Sequence, residues 1–278
     1  MPMHHTLCAA LVACSAGVAL AEDAPALPEF DSPRALFEAL ETADAEIDTF
    51  EAKIQYDRVF ILQQDRHTRL GDLAFAVDRA GERPTRAFAV TFDTLIVDDK
   101  ASDEDEHYVF DGRWYVEKHA SEKQFIRREV APPGSDFDPL ALGEGPFPIP
   151  IGQKAESILA RYDAALTPVL EPIEHDPSYR SFVEGRADEL VCVVLTPKNE
   201  EDDNGFRRLA LWYERESLLP VLARTTVKGG DLSFVRLIGK RVNDPGFDAG
   251  VIDVNPPDEP GWSVQIDEGQ FVREEASP

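Results

Sequence analysis

The chain has 278 residues, with 53 Asp and Glu against 28 Lys and Arg, giving a formal net charge of −25 at pH 7. That balance excludes nucleic acid as a partner, because phosphate binding needs a basic stripe that this sequence lacks. It also disfavours docking on anionic lipid, which recruits Lys and Arg clusters, while 43% hydrophobic residues are too many for a disordered acidic chain and enough for a sizeable core.

Residues 1–21 carry no Asp, Glu, Lys or Arg, and an apolar run from Leu7 to Leu20 ends in Ala19-Leu20-Ala21 before charge begins at Glu22. This pattern predicts an export signal cleaved after Ala21, and hence a periplasmic mature protein. The run is shorter than the roughly 20 apolar residues a membrane-spanning helix requires. A rival cut lies at Leu11-Val12-Ala13-Cys14, which resembles a lipobox and would give a chain lipid-anchored at Cys14. Cleavage after Ala21 leaves one thiol, Cys192, inside the buried-strand pattern Leu190–Leu195. It reads as an inert core residue, with no disulfide framework available.

Residues 22–30 are rich in Ala, Pro and Glu and predict a linker, with 31–278 as a single domain. Asp31-Ser32-Pro33 supplies an N-cap followed by proline at the first helical position. Leu36, Phe37, Leu40 and Ile47 then follow at helical spacing, predicting a helix over 33–46. From Phe50 the period becomes two. Phe50, Ala52, Ile54 and Tyr56 alternate with polar residues, as do Leu73-Phe75-Val77 and Phe88-Val90-Phe92. Two strands meet at an Asp111-Gly112 turn between Phe110 and Trp114. Further strands are predicted near 124–130, 189–196, 206–215, 220–228 and 232–242. Short strands with turns between them imply one strongly curled antiparallel sheet.

The stretch 131–187 interrupts the strands with a Pro-stiffened apolar loop, Leu142 to Pro150, and a short helix face at Ile158, Leu159 and Tyr162. The helical segments either fill the sheet's hollow as core or cover an apolar pocket as a lid. Periodicity leaves both open.

Catalytic motifs are missing. The sequence has no GxSxG, P-loop or GxGxxG leading into a helix. His67, His107, His119 and His175 have no zinc-type spacing. The acidic run Asp98 to His107 reads as a solvated hairpin tip, since it lacks the alternating ligands and central glycine of a calcium loop. No enzyme, metal or cofactor is therefore expected.

Several strings occur in a telling order. They are Thr49-Phe50-Glu51-Ala52-Lys53, Gly71-Asp72-Leu73, Arg83-Pro84, Val194-Leu195-Thr196-Pro197-Lys198, Asn255-Pro256-Pro257 and Gly261-Trp262-Ser263-Val264. Together they resemble the LolA family of periplasmic lipoprotein carriers over about residues 32–267. The resemblance implies a mainly β (α+β) fold, an unclosed antiparallel β-barrel with a helical lid. It implies a cargo of lipoprotein acyl chains or lipid, taken from an inner-membrane release complex to an outer-membrane receptor. The matching lid-contacting arginine is Arg83, and the matching lid runs through Phe147, Ile149, Ile158, Leu159 and Tyr162. The expected lipid-contacting residues are Leu36, Phe37, Leu40, Ile54, Tyr56, Phe75, Phe88, Val90, Phe92, Phe110 and Trp114. A monomeric carrier is the primary expectation. The alternatives are an envelope sensor on the same fold or a lipidated receptor anchored at Cys14.

Overall fold

The computed structural model describes residues 27–81, 84–131, 142, 151–199 and 206–268. Helix α1 (Pro33–Asp44) starts as the sequence predicts. The Ser32 side chain accepts from the Ala35 N–H at 3.2 Å, and Pro33 stands in the first turn. The helix stops at Asp44, where Asn243 fastens the junction to the next strand. Its Oδ1 accepts from the N–H groups of Asp48 and Thr49, and its side-chain amide donates to the Glu46 carbonyl.

Twelve strands follow in one sheet: β1 (Thr49–Phe60), β2 (Asp65–Asp78), β3 (Thr85–Val97), β4 (Lys100–Phe110), β5 (Trp114–His119), β6 (Gln124–Glu129), β7 (Tyr162–Thr167), β8 (Leu190–Pro197), β9 (Phe206–Glu214), β10 (Pro220–Val227), β11 (Leu232–Val242) and β12 (Ser263–Asp267). Between β6 and β8 lie α2 (Ala155–Arg161) and α3 (Pro177–Glu184). The strand order is β12-β6-β5-β4-β3-β2-β1-β11-β10-β9-β8-β7, so among the described residues β12 and β7 are the two edges and the sheet is unclosed. All neighbours are antiparallel except β12, which runs parallel to β6.

The sheet curls around α1. The carboxylate of Asp44 is in electrostatic reach of Arg86 on β3 and of Tyr213 on β9, strands five places apart in the order. A flat sheet would hold those strands about 24 Å apart at ~4.8 Å per strand, so this face is the hollow one. Gly71 helps the curl. It sits at a register shift between β2 and β3, and a Cβ there would come within 1.8 Å of the Thr91 carbonyl oxygen. Only glycine lets these two backbones approach so closely.

The alternation of β8 sorts its side chains cleanly. Val191, Val193 and Leu195 face inward against Leu36, Phe37 and Leu40 of α1 and Ile158 of α2. Leu190, Cys192 and Val194 face outward against Tyr179 and Val183 of α3. This two-sided burial explains why β8 reads as an unbroken apolar run. Burial also pushes the Cys192 thiol up to about 12, which makes it a core residue without thiolate chemistry at neutral pH.

Two expectations need adjustment. The acidic run does sit at a hairpin, but the tip is short: only Asp98 and Asp99, at φ of 50° and 60°, form the turn, and β4 starts at Lys100. An acidic strand is tolerated here because Lys100–Asp105 pair with β3 alone, β5 joining only from Glu106 onward, and most of these residues are exposed. Tyr162 is not on the α2 face. It begins β7, buried and stacked on Phe206 at 5.8 Å between ring centroids.

Candidate apolar wall and its helical clasp

The inner face of β1–β5 and β11 forms a continuous apolar wall. Strand register places Phe50, Phe75, Phe88, Phe110 and Tyr115 in one row across five strands. A second row runs Leu237, Ile54, Gly71 and Phe92. Ile54, Phe75, Phe88, Phe92 and Phe110 are buried in this wall, and Ile47 and Ile151 pack on it from the helical side. Tyr56, Val90, Tyr108 and Val235 belong to the same surface but remain half-buried. Tyr56 and Tyr108 flank the Phe92 ring at 6.2 and 6.1 Å.

A polar border closes the wall toward β4–β6. Arg69 donates through Nε to both Glu104 oxygens at 3.0 Å. His119 is bonded to Glu106, and Arg128 donates to Glu117. Burial, then the charge of Glu106, raises the Tyr108 hydroxyl pKa, so that group stays a neutral donor at the border.

The helices are clasped to this wall at one end. Arg86 on β3 shares the inward parity of Phe88 and donates through Nη1 to the carbonyls of Ile151, at 3.0 Å, and Gly152, at 2.9 Å. The Gly152 N–H donates to Asp44 Oδ2 at 2.7 Å. Gly152 adopts φ of 73°, and a Cβ there would meet Arg86 Nη1 at 2.6 Å, so the clasp requires glycine for conformation and space alike. Glu41, one turn before Asp44, accepts from the Ala155 N–H at 3.1 Å and so caps α2, whose own N-cap Lys154 supplies no side-chain bond. At the other end of α2, Lys198 Nζ donates to the Leu159 carbonyl at 2.6 Å, a cation placed at a helix C-terminus.

Burial pushes the Asp44 carboxyl up to about 6, although the Gly152 N–H and the Arg86 charge favour its ionised form. Burial likewise pushes Arg86 down to about 10, and Asp44 opposes that shift. The clasped state therefore holds a proton on Asp44 more tightly than an opened or unfolded chain, where a carboxylate titrates near 4. The sign follows. Acidification favours the clasp, and stability falls as pH rises from about 4 to about 6, by roughly 2–3 kcal/mol in all. Among the described residues, the titratable and charged groups in electrostatic reach of Asp44 include Arg86 and Tyr213. Amide exchange of 151–161 is expected to be slower at pH 5 than at pH 7.5 after correction for intrinsic rates, and Asp44→Asn should flatten that difference. The opposite slope would refute this account of the clasp.

The structure brings most expected site residues onto one face, with two exceptions. Leu36, Phe37 and Leu40 pack with Ile158 and Leu159 between α1, α2 and β8–β9, away from the half-buried part of the wall. Trp114 turns to the other face. Phe110 pairs with Tyr115, so Tyr115 is the inward residue, while Trp114 lies under Arg127 at 4.7 Å and Arg113 at 5.0 Å. Arg83, Phe147 and Ile149 lie outside the described residues. Sequence reasoning missed Arg86, Asp44, Glu41 and Tyr108. For Arg86 a signal existed, because it is the one cation at the inward parity of an otherwise apolar strand. A separate cleft of about 430 Å³ lies at the β7 edge, lined by Phe30, Leu166, Val169, Val191 and Arg215 among others, apart from the wall. No described helix is long and apolar enough to cross a membrane.

No family model and no curated protein matches the sequence. Solved structures do. A putative outer-membrane lipoprotein-sorting domain from Vibrio parahaemolyticus is 10% identical at a TM-score of 0.35, covering 79% of this chain and 95% of that one. A chain of the MucA/MucB complex of Pseudomonas aeruginosa is 15% identical at 0.37, covering 78% of this chain and 59% of that one. A LolA-superfamily protein from Nitrosomonas europaea is 11% identical at 0.28, covering 79% and 96%.

Proposed function

We propose that this chain, as a single domain over residues 31–278, binds a lipid or the acyl chains of a lipoprotein on its inner wall. It carries them through the periplasm to an outer-membrane acceptor, without catalysis. The observation that carries the reading is the wall itself: a row of aromatic and aliphatic side chains, clasped under helices at one end and half-exposed at Tyr56, Val90, Tyr108 and Val235. Each acyl CH₂ buried there contributes about 0.8 kcal/mol, so several suffice to hold a chain in water. Arg86, Asp44 and Glu41 set how readily the helices lift, beside the lid contact that the resemblance assigns to Arg83. Handing over the cargo then needs only an acceptor that offers an equally dry place. The strongly acidic exterior keeps the loaded protein soluble in transit.

The test is native mass spectrometry of protein purified from its own envelope without detergent. The proposal expects an adduct with the mass of a diacyl lipid or a lipoprotein. Apo protein that also fails to take up added diacyl lipid contradicts it, and a protein adduct without lipid would favour an envelope sensor instead.

A further inference from the structure

In a chain with 53 acids and 28 bases, a guanidinium without an ion pair is an anomaly, and the outer face of β10–β11 holds two that make none among the described residues. Arg224 and Arg236 stand on adjacent strands with outward parity, since Arg224 pairs with Phe234 and Leu222 with Arg236. Both are half-buried, and the Nε of each is shielded from solvent with no hydrogen-bond partner. Arg236 lies over the Phe182 ring of α3 at 4.0 Å, and Arg224 lies 6.0 Å from the Phe234 centroid. The one hydrogen bond that Arg224 makes among the described residues is from Nη1 to the Thr226 hydroxyl, at 3.2 Å.

The acids nearby are already engaged. Asp57 accepts from Arg66 and from the Tyr179 hydroxyl. Asp176 accepts from Arg66 through Oδ2 and from the Ser178 N–H through Oδ1. Glu171 lies 3.6 Å from Arg208. Counting Arg66, Arg208, Arg224 and Arg236 against Asp57, Asp176 and Glu171, this patch is net positive on a molecule of net charge −25. Burial pushes the Arg224 pKa down, the charge of Arg208 pushes it further, and Asp176 opposes both. A desolvated cation beside a second cation is stabilised by a ligand that brings negative charge and several acceptors.

We propose that Arg224 and Arg236, between α3 and β10–β11, form a binding site for a phosphate-type oxyanion. The Nη groups of the two guanidinium planes are the donors offered to phosphate oxygens. The aromatic faces of Phe182 and Phe234 hold the forks in place before the ligand arrives. The site lies on the face opposite the apolar wall and does not depend on what the wall binds.

The experiment uses inorganic phosphate as probe. Thermal unfolding and ³¹P line broadening are followed in phosphate and in chloride at matched ionic strength, because salt of any kind relieves the repulsion of an acidic chain. The expected result is a higher Tm in phosphate than in chloride. The phosphate dissociation constant should weaken at least tenfold in Arg224→Gln and in Arg236→Gln. Equal Tm values with no ³¹P broadening overturn the proposal, as does undiminished phosphate binding in the double variant. Should the double variant not fold, the wild-type ³¹P result and the two single variants decide. Cosedimentation with phosphatidylglycerol vesicles, but not phosphatidylcholine vesicles, that is lost in the same variants would identify a lipid headgroup as the source. Binding of phosphate without vesicles would identify a soluble one.

Discussion

Replacing Arg86 by leucine is expected to speed amide exchange across 151–161 by tenfold or more while the sheet keeps its protection. The guanidinium serves the carbonyls of Ile151 and Gly152 and is the counter-charge of Asp44. A hydrogen bond from a charged donor contributes about 1.5–3 kcal/mol, and 1.4 kcal/mol is already tenfold in an opening equilibrium. Leucine also strands Asp44 in an apolar surrounding, where it takes up a proton, so the pH dependence of the clasp should move upward. Arg86→Lys keeps the charge but not the fork, and should fall between. Transfer of bound lipid to acceptor vesicles should quicken in step with exchange. Leucine-variant exchange equal to wild type would reduce Arg86 to a packing residue.

Val90→Glu is the second large effect. Val90 is half-buried, so its carboxylate can reach water and the fold should survive with a loss of about 1–2 kcal/mol. Seated against an acyl chain, that same carboxylate must be desolvated or displace the ligand, which costs about 1–3 kcal/mol or more. Uptake of an apolar fluorescent probe is therefore expected to fall ten- to a hundredfold. Trp114→Glu, on the other face, should leave uptake near wild type. Equal losses in both variants would mean that the effect is general destabilisation and not loss of the wall.

The particular residues show where sequence is legible. Strands β1, β2 and β3 announce themselves because one face is buried and the other wet, and β8 because both are buried. β12 gives no such signal: every residue in it is exposed, with Val264 and Ile266 among the exposed apolar side chains, and its parallel pairing with β6 is a tertiary event. Helix α3 was legible in principle, since Asp176-Pro177 is an N-cap followed by a first-turn proline. The clasp was not. It joins Glu41 and Asp44, Arg86, and Gly152 to Ala155, three segments far apart in the chain, through backbone groups that carry no sequence identity. The face of Trp114 follows from the hairpin register, in which the loop between Phe110 and Tyr115 sets which aromatic residue turns inward.

The central claim is that an acyl chain lies on the inner wall of the curled sheet. A diacyl lipid bearing a diazirine along one chain, loaded into the full-length protein, irradiated and mapped by peptide mass spectrometry, tests it most directly. Adducts should fall on Tyr56, Val90, Tyr108 and Val235, and diminish on competition with unlabelled lipid. Adducts confined to the outer face, around Tyr179, Phe182 or Trp114, or labelling that competitor leaves unchanged, would contradict it.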